Sequence, residues 1–240
     1  MSSDIRLSGR LKRICEMCGR GNVIADIGCD HGFTSITLVK SGAYKKALAM
    51  DVRTGPLERA DANIRQAGLS EKIETRLSNG FEKLKSGEAD AAVITGMGGE
   101  LICHILEAYP DAVSSLSKMV LGPQSESYLV RRKLREIGFT IRDEQALYDD
   151  GKYYEIILCV KNTTGTNNDF EENDVTDIYG PVLLNKKDES LKERLDKEKA
   201  IAESLLKNLD NAEASDSVIS RMTELKHQLS VIDKALEYYL

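Results

Sequence analysis

The residues from Asn22 to Phe33, NVIADIGCDHGF, set an acid at Asp26 and a second at Asp30, with Gly28 and Gly32 spaced between and after them. The apolar run Val23 to Ala25 precedes Asp26, so the stretch reads as a strand that ends on a carboxylate and enters a glycine-rich turn before a helix. Such a turn lets backbone approach a ligand closely, and the helix start behind it favours negative charge. The dinucleotide pattern G-x-G-x-x-G fails here, because Asp30 and Phe33 stand where its glycines would be. A tight turn with a capping Asp accounts for such a stretch equally well on its own.

Two later strand ends add polar groups. Asp51 closes ALAMD, where a carboxylate can accept both ribose hydroxyls of a nucleoside; capping the following helix is its alternative role. Asn79, in RLSNGF, ends the third strand, and its amide can read an adenine edge. Three polar residues at successive strand ends face one crevice, the ligand site of open α/β sheets. After the fourth strand comes TGMGGELI, with Gly96, Met97, Gly98 and Gly99. No cysteine follows any of the four prolines, which disfavours a covalent route to pyrimidine C5.

The elements that must position these residues are legible along the chain. Apolar runs NVIADIG, KKALAMDV, IETRLSN, ADAAVITG and KMVLGP alternate with amphipathic stretches such as GPLERADANIRQAG, predicting five parallel strands flanked by helices. FTIRDEQALYDDGKYYEIILCVK contains two extended runs joined by DDG, a hairpin signal, so an antiparallel pair closes the sheet. The expected fold is α/β, and five parallel strands closed by a hairpin over residues 1–161 resemble the Rossmann-like seven-strand sheet of the class I methyltransferases. Residues 162–180 read as a linker, and 181–240 as a C-terminal helical hairpin. There Val218, Met222, Leu225, Leu229, Ile232, Leu236 and Tyr239 form a coiled-coil heptad seam, opposite a stripe of Leu191, Leu195, Ala202, Leu205 and Leu209.

Composition narrows the classes. The chain has 240 residues, 41% hydrophobic and 30% charged, with no apolar run long enough to cross a bilayer and no apolar signal core at its start. A cytoplasmic protein without a membrane partner is expected. Five scattered cysteines do not make a disulfide framework, and the lone pair Cys15 and Cys18 falls short of a zinc site, so no metal is expected. The net charge of −6 lies entirely in residues 161–240, which hold 11 basic and 17 acidic residues. A nucleic-acid partner would therefore need local basic patches. The candidates are Arg131, Arg132, Lys133 and Arg135 after the fifth strand, and Arg6, Arg10, Lys12 and Arg13 near the start. Either cluster can equally be a solvated helix face. Of Tyr153 and Tyr154, one can stack on a base, while strand alternation turns the other away.

The pattern D-x-G-x-D-x-G resembles the first motif of S-adenosylmethionine (SAM) methyltransferases. More specifically, LSGRL (7–11), VIADIGCDHGF, ITGMGGELI, VLGPQSE, LYDDGKYYEII and YGPVLL occur in the order and spacing of the bacterial tRNA (adenine-22-N1)-methyltransferase family. The resemblance covers nearly the whole chain. It implies a class I methyltransferase domain with a C-terminal coiled coil, SAM as cofactor, and methylation of adenine N1 at position 22 in the D-arm of tRNA.

The sequence departs from the family pattern at three places. Asp30, His31, Gly32 and Phe33 replace Asp-His-Ala-Tyr; Leu121, Gly122, Pro123 and Gln124 replace Leu-Gln-Pro-Asn; Asn79 replaces Asp.

On this reading Asp26, Gly28, Asp30, His31, Gly32, Asp51, Asn79, Gly80, Gly96 and Met97 hold the cofactor. Gly98, Gly99, Arg10, Arg131, Arg132, Arg135 and Tyr153 meet the substrate. Asp30 is the expected catalytic group, accepting a hydrogen bond or proton from the exocyclic amine. Two alternatives stay open: a methyltransferase of another RNA, small molecule or protein, and a non-catalytic SAM-binding module. A monomer is expected, with a dimer left open because a heptad seam can also close between chains.

Overall fold

The structure, a computed structural model, describes residues 7–163, 174–211 and 215–240. Arg6 and most of the expected linker lie outside the described residues. Seven strands form one sheet: β1 (Gly21–Ile27), β2 (Tyr44–Asp51), β3 (Ile73–Leu77), β4 (Ala91–Thr95), β5 (Lys118–Gly122), β6 (Phe139–Asp149) and β7 (Lys152–Lys161). Their order is β3-β2-β1-β4-β5-β7-β6. The first five pair in parallel, and β7 runs antiparallel to both neighbours. The DDG signal closes the hairpin as expected: Asp149 pairs with Lys152, and the two residues between, Asp150 and Gly151, have φ of 50° and 72°. Positive φ at both positions gives the turn whose twist matches that of its strands.

Alternation along the strands divides the core between two faces. Ala25 and Ile27 of β1 pack with Ile102, Ile105 and Leu106 of α4 (Gly99–Ala108) and with Val130 and Leu134 of α6 (Ser127–Glu136). On the other face Ile24 packs with Ile14 of α1 (Gly9–Cys18), Ile36 of α2 (Phe33–Lys40), and Ala60 and Ile64 of α3 (Thr54–Gln66). A short α5 (Pro110–Ser115) links α4 to β5. Cys15 and Cys18 pack in the second of these cores, where burial pushes the Cys15 thiol up to about 12. They are the small apolar residues of α1, and among the described residues no group of His, Cys, Asp or Glu is arranged to hold a metal.

Within the segment expected to be a linker, residues 174–179 are helical. Asp174–Tyr179 form α7 and Pro181–Asn185 form α8, and together they seat the long hairpin of α9 (Glu189–Asp210) and α10 (Asp216–Glu237). Val175, Tyr179, Leu183 and Leu184 share one apolar cluster with Leu191, Leu195, Val231, Ile232 and Ala235. The six seam residues on α10, and Tyr239 just past its end, are at least partly buried, but on α9 the stripe passes through Leu206 rather than Leu205, which is 40% exposed. No described helix is long and apolar enough to cross a membrane.

Candidate cofactor and substrate site

The strand order reverses at β1, between β2 and β4, and the crevice over their carboxyl ends is a cleft of ≈ 690 Å³. Asp26, Gly28, Asp30, His31, Asp51, Asn79, Gly80, Gly96 and Met97 line it, as does Arg10. The expected cofactor residues are therefore brought together almost entire. Gly32 is one position removed: it is the N-cap residue of α2.

Asp26 is 5% exposed, and its Oδ2 accepts both the backbone N–H (3.2 Å) and the hydroxyl (2.7 Å) of Ser35 in the first turn of α2. The end of β1 is thereby tied to the following helix. Burial pushes the Asp26 pKa up to about 6, against the two Ser35 bonds that lower it, and nearby Asp51 adds to the rise. A buried carboxylate of this kind gains from a cationic partner, and the ammonium of an amino acid supplies one.

The turn itself is set by Gly28, at φ 76°. Its N–H and that of Cys29 both donate to Met50 O, at 2.8 and 3.0 Å, which joins the turn to β2. A Cβ on Gly28 would stand 2.4 Å from the mobile tip of Met97, Cε; it is the left-handed φ that calls for glycine where the β1 and β4 loops converge. Asp30 follows at φ 44°, a left-handed conformation that Asp tolerates better than most residues.

Asp51 is 6% exposed. It does not cap α3 by bonding its second or third amide. Instead Oδ1 accepts the N–H of Arg53 at 2.9 Å, and Oδ2 that of Asp30 at 3.4 Å. Asn79 is exposed at the mouth beside Ser78, whose N–H donates to Asp51 O at 2.9 Å.

The side chain of Asp30 points to the rim and is paired with Arg59 Nη2 at 3.0 Å, with His31 Nε2 3.6 Å from its other oxygen. Sequence reasoning missed Arg59. Its signal was its place on the first turns of α3, directly after the strand that ends in Asp51. His31 stacks on Phe33 with centroids 5.2 Å apart, and its carbonyl accepts Asn63 Nδ2 at 2.9 Å.

The GMGG segment divides in two. Gly96 and Met97 face the cleft, while Gly98 and Gly99 stand behind its wall. Gly99 N–H donates to Ser125 O, and Gln124 N–H to Met97 O, both at 2.9 Å. A Cβ on Gly99 would lie 2.4 Å from Glu126 O. These two glycines, expected to meet substrate, let the β4 and β5 loops close on each other. Gln124, Leu101, Ile105 and Thr95 also line the cleft and were not assigned from sequence.

The α6 arginines require a correction. Arg131, expected to grip phosphate, is fully buried: Nε bonds Glu144 and Nη2 bonds Glu155, each at 2.7 Å, while Nη1 donates to the carbonyls of Asp177 and Ile178. Burial opposes its charge, and the two carboxylates together outweigh that and hold its pKa up. Arg132 and Arg135 both pair with Asp177 of α7 at 2.7 Å. Tyr153 likewise faces away from the cleft, beneath Arg194 of α9 at 4.9 Å. Alternation puts Tyr154 on the opposite side, where Arg10 lies 4.8 Å over its ring. Arg194 bridges Glu155 and Glu198, so these residues form one polar joint between the sheet and the helical hairpin.

Five parallel strands with an antiparallel seventh, and a crevice whose first two strands end in carboxylates, define the class I methyltransferase architecture. The chain belongs to the methyltransferase domain family, which it matches over residues 7–157, and within it to the bacterial tRNA (adenine-22-N1)-methyltransferases. It is 28% identical to the tRNA (adenine(22)-N(1))-methyltransferase of Bacillus subtilis over 236 residues, covering 98% of this chain and 99% of that enzyme. The crystal structure of the B. subtilis m1A22 tRNA methyltransferase superposes with a TM-score of 0.85 at 28% identity, over 97% of this chain and 100% of the other. A Streptococcus pneumoniae protein crystallised in complex with S-adenosyl-L-methionine gives a TM-score of 0.83 at 27% identity, over 96% and 100% of the two chains.

Proposed function

We infer that the chain transfers a methyl group from SAM to N1 of adenosine 22 of tRNA. The observation that carries this reading is the cleft at the switch point, where Asp26, Asp51 and Asn79 stand at three strand ends around a glycine turn. These residues suit the cofactor part by part: Asp51 the ribose diol, Asn79 the adenine edge, Asp26 the ammonium, and Gly28 the close backbone approach. When bound, SAM supplies an electrophilic methyl on its sulfonium.

Adenine N1 carries an in-plane lone pair, so no nucleophile of the protein is required. The chain's task is to align the base with the methyl and to exclude water. The base must leave its stack to enter the cleft, and the apolar side chains of Leu101, Ile105 and Met97 offer it a dry wall.

N1 methylation leaves positive charge on the ring until a proton departs from the exocyclic amine. Asp30, at the rim, is the proposed acceptor of that N–H. Its pairing with Arg59 is half-exposed on both sides, an arrangement worth at most about 1 kcal/mol, so the carboxylate is free to exchange partners.

Phosphates are met by Arg53, which lines the cleft after β2, with the exposed Lys12 and Arg13 of α1 as further candidates, in place of the α6 arginines. Recognition of the D-arm, where position 22 lies, and a cytoplasmic place of action belong to the same proposal. Labelled SAM with unmodified tRNA tests it through recovery of 1-methyladenosine. For Asp30, an Asp30→Asn variant should keep SAM affinity and lose turnover by about 10²- to 10⁴-fold; full turnover would remove Asp30 from the chemistry.

A further inference from the structure

Arg59 and Asp30 meet at the rim of the cleft. Asp30 lines the cleft, while Arg59 stands on α3 at its outer side and donates from Nη2 to Asp30 Oδ1 at 3.0 Å. His31 Nε2 lies 3.6 Å from Oδ2, so both carboxylate oxygens already face a partner in the ligand-free protein. Oδ1 is free for the amine of an adenine only once Arg59 lets go. α3 also backs the loop at two sheltered points. One turn on from Arg59, the half-buried Asn63 donates from Nδ2 to His31 O at 2.9 Å, and a Cβ on the buried Gly32 would lie 3.2 Å from that of Ala60. The Arg59–Asp30 pair, by contrast, is half-exposed on both sides. The loop therefore keeps its place when the pair opens, and only side chains need move.

What draws Arg59 away follows from where charge can be placed. Asp26 and Asp51 are buried at the floor of the cleft, so a neutral base enters while its phosphodiester is kept at the rim. There the planar fork of a guanidinium matches a phosphate bidentately. An exposed carboxylate partner gives way readily to such an anion, because a solvated ion pair is weak. We propose that Arg59 exchanges Asp30 for the phosphate beside the target adenosine, and that this exchange hands Oδ1 to the exocyclic amine. Arg59 is then the residue through which the arrival of RNA readies Asp30. An adenine compound without a phosphate leaves the pair closed.

This inference rests on the proposed methyl transfer, and its test separates the two. Methylation of an unmodified tRNA with adenosine at position 22 would be followed over a range of salt for the native protein, Arg59→Ala, Arg59→Lys and Asp30→Asn. Binding of S-adenosylhomocysteine by calorimetry shows that each variant is folded. Arg59→Ala should raise the KM for tRNA about 10-fold and lower its salt slope by about one, with kcat within about twofold because Asp30 is already released. Arg59→Lys should recover the salt slope and part of the KM. Asp30→Asn should lower the KM for tRNA by up to about fivefold, since Arg59 then has no competing anion. A fall in kcat for Arg59→Ala at unchanged KM would overturn the proposal and make Arg59 a fixed support of Asp30. Unchanged KM and salt slope would overturn it as well, leaving the pair an idle surface contact. Full turnover in Asp30→Asn would overturn the hand-over of Oδ1. No methylation by the native protein, with S-adenosylhomocysteine still bound, would overturn the methyl-transfer reading and this inference with it.

Discussion

Asp51 Oδ2 accepts the backbone N–H of Asp30 at 3.4 Å, so the carboxylate that ends β2 is oriented by the turn that ends β1. Its Oδ1 accepts Arg53 N–H at 2.9 Å. Two amides thus fix the carboxylate before any ligand arrives, which lowers the entropy lost when a ribose diol binds. Asp51→Ala should weaken SAM about 10- to 100-fold through the lost charge-assisted bonds, with little change in the far-ultraviolet circular dichroism. Equal affinity by calorimetry would place the ribose elsewhere.

Asp26 gives the cofactor site a pH dependence whose sign is fixed. Its pKa in the folded chain is raised to about 6 from 3.8, so the fold binds a proton more readily than the unfolded chain does between those values. Stability of the ligand-free protein from this group therefore increases as pH falls through about 6, while affinity for an ammonium falls. SAM binding should weaken on acidification below about 6 and should release protons near that pH, measurable by calorimetry in buffers of different ionisation enthalpy. Asp26→Asn should flatten the profile.

The joint around Arg131 predicts a stability effect in place of an RNA effect. Arg131→Met would leave Glu144 and Glu155 buried without their shared partner, at a cost of about 3–5 kcal/mol in urea unfolding. Arg132→Ala, at a side chain 45% exposed and with Arg135 still on Asp177, should cost no more than about 1 kcal/mol. Equal, small losses of stability in both, with weakened tRNA binding, would restore the phosphate role.

Gly99→Ala tests the wall between the β4 and β5 loops. The new Cβ would meet the Glu126 carbonyl at 2.4 Å, and backbone on both sides must move. A loss of about 1–3 kcal/mol in stability is expected, with reduced turnover from a displaced Met97. A variant with native melting temperature and native kcat would show that the loops are not closely joined.

The strands, the DDG hairpin and the glycine turn were legible because each is encoded locally, by period, by turn chemistry and by the positive φ that few residues accept. The crevice followed from them, since parallel order puts Asp26, Asp51 and Asn79 at the same edge. The fate of Arg131 was not local. A run of arginines on a helix looks the same whether solvated or buried, and only the pairing of Glu144 with Ile157 and Ala146 with Glu155 brings two acids beneath it. The available signal was Glu155, set in the otherwise apolar middle of β7, whereas Glu144 lies in the polar run RDEQ of β6 and carried none. Tyr153 and Tyr154 were separable by alternation, but which face met the helical hairpin depended on how α7 and α9 dock. Asp174–Tyr179 were hidden for a similar reason, because a helix so short is held by Arg131, Arg132 and Arg135 more than by its own propensity.

The most direct measurement is methyl transfer from labelled SAM to two unmodified tRNA transcripts that differ only at position 22, adenosine in one and guanosine in the other, followed by nucleoside analysis. The account predicts 1-methyladenosine from the first transcript and none from the second. Equal methylation of both, or transfer to neither while SAM is still bound, would contradict it.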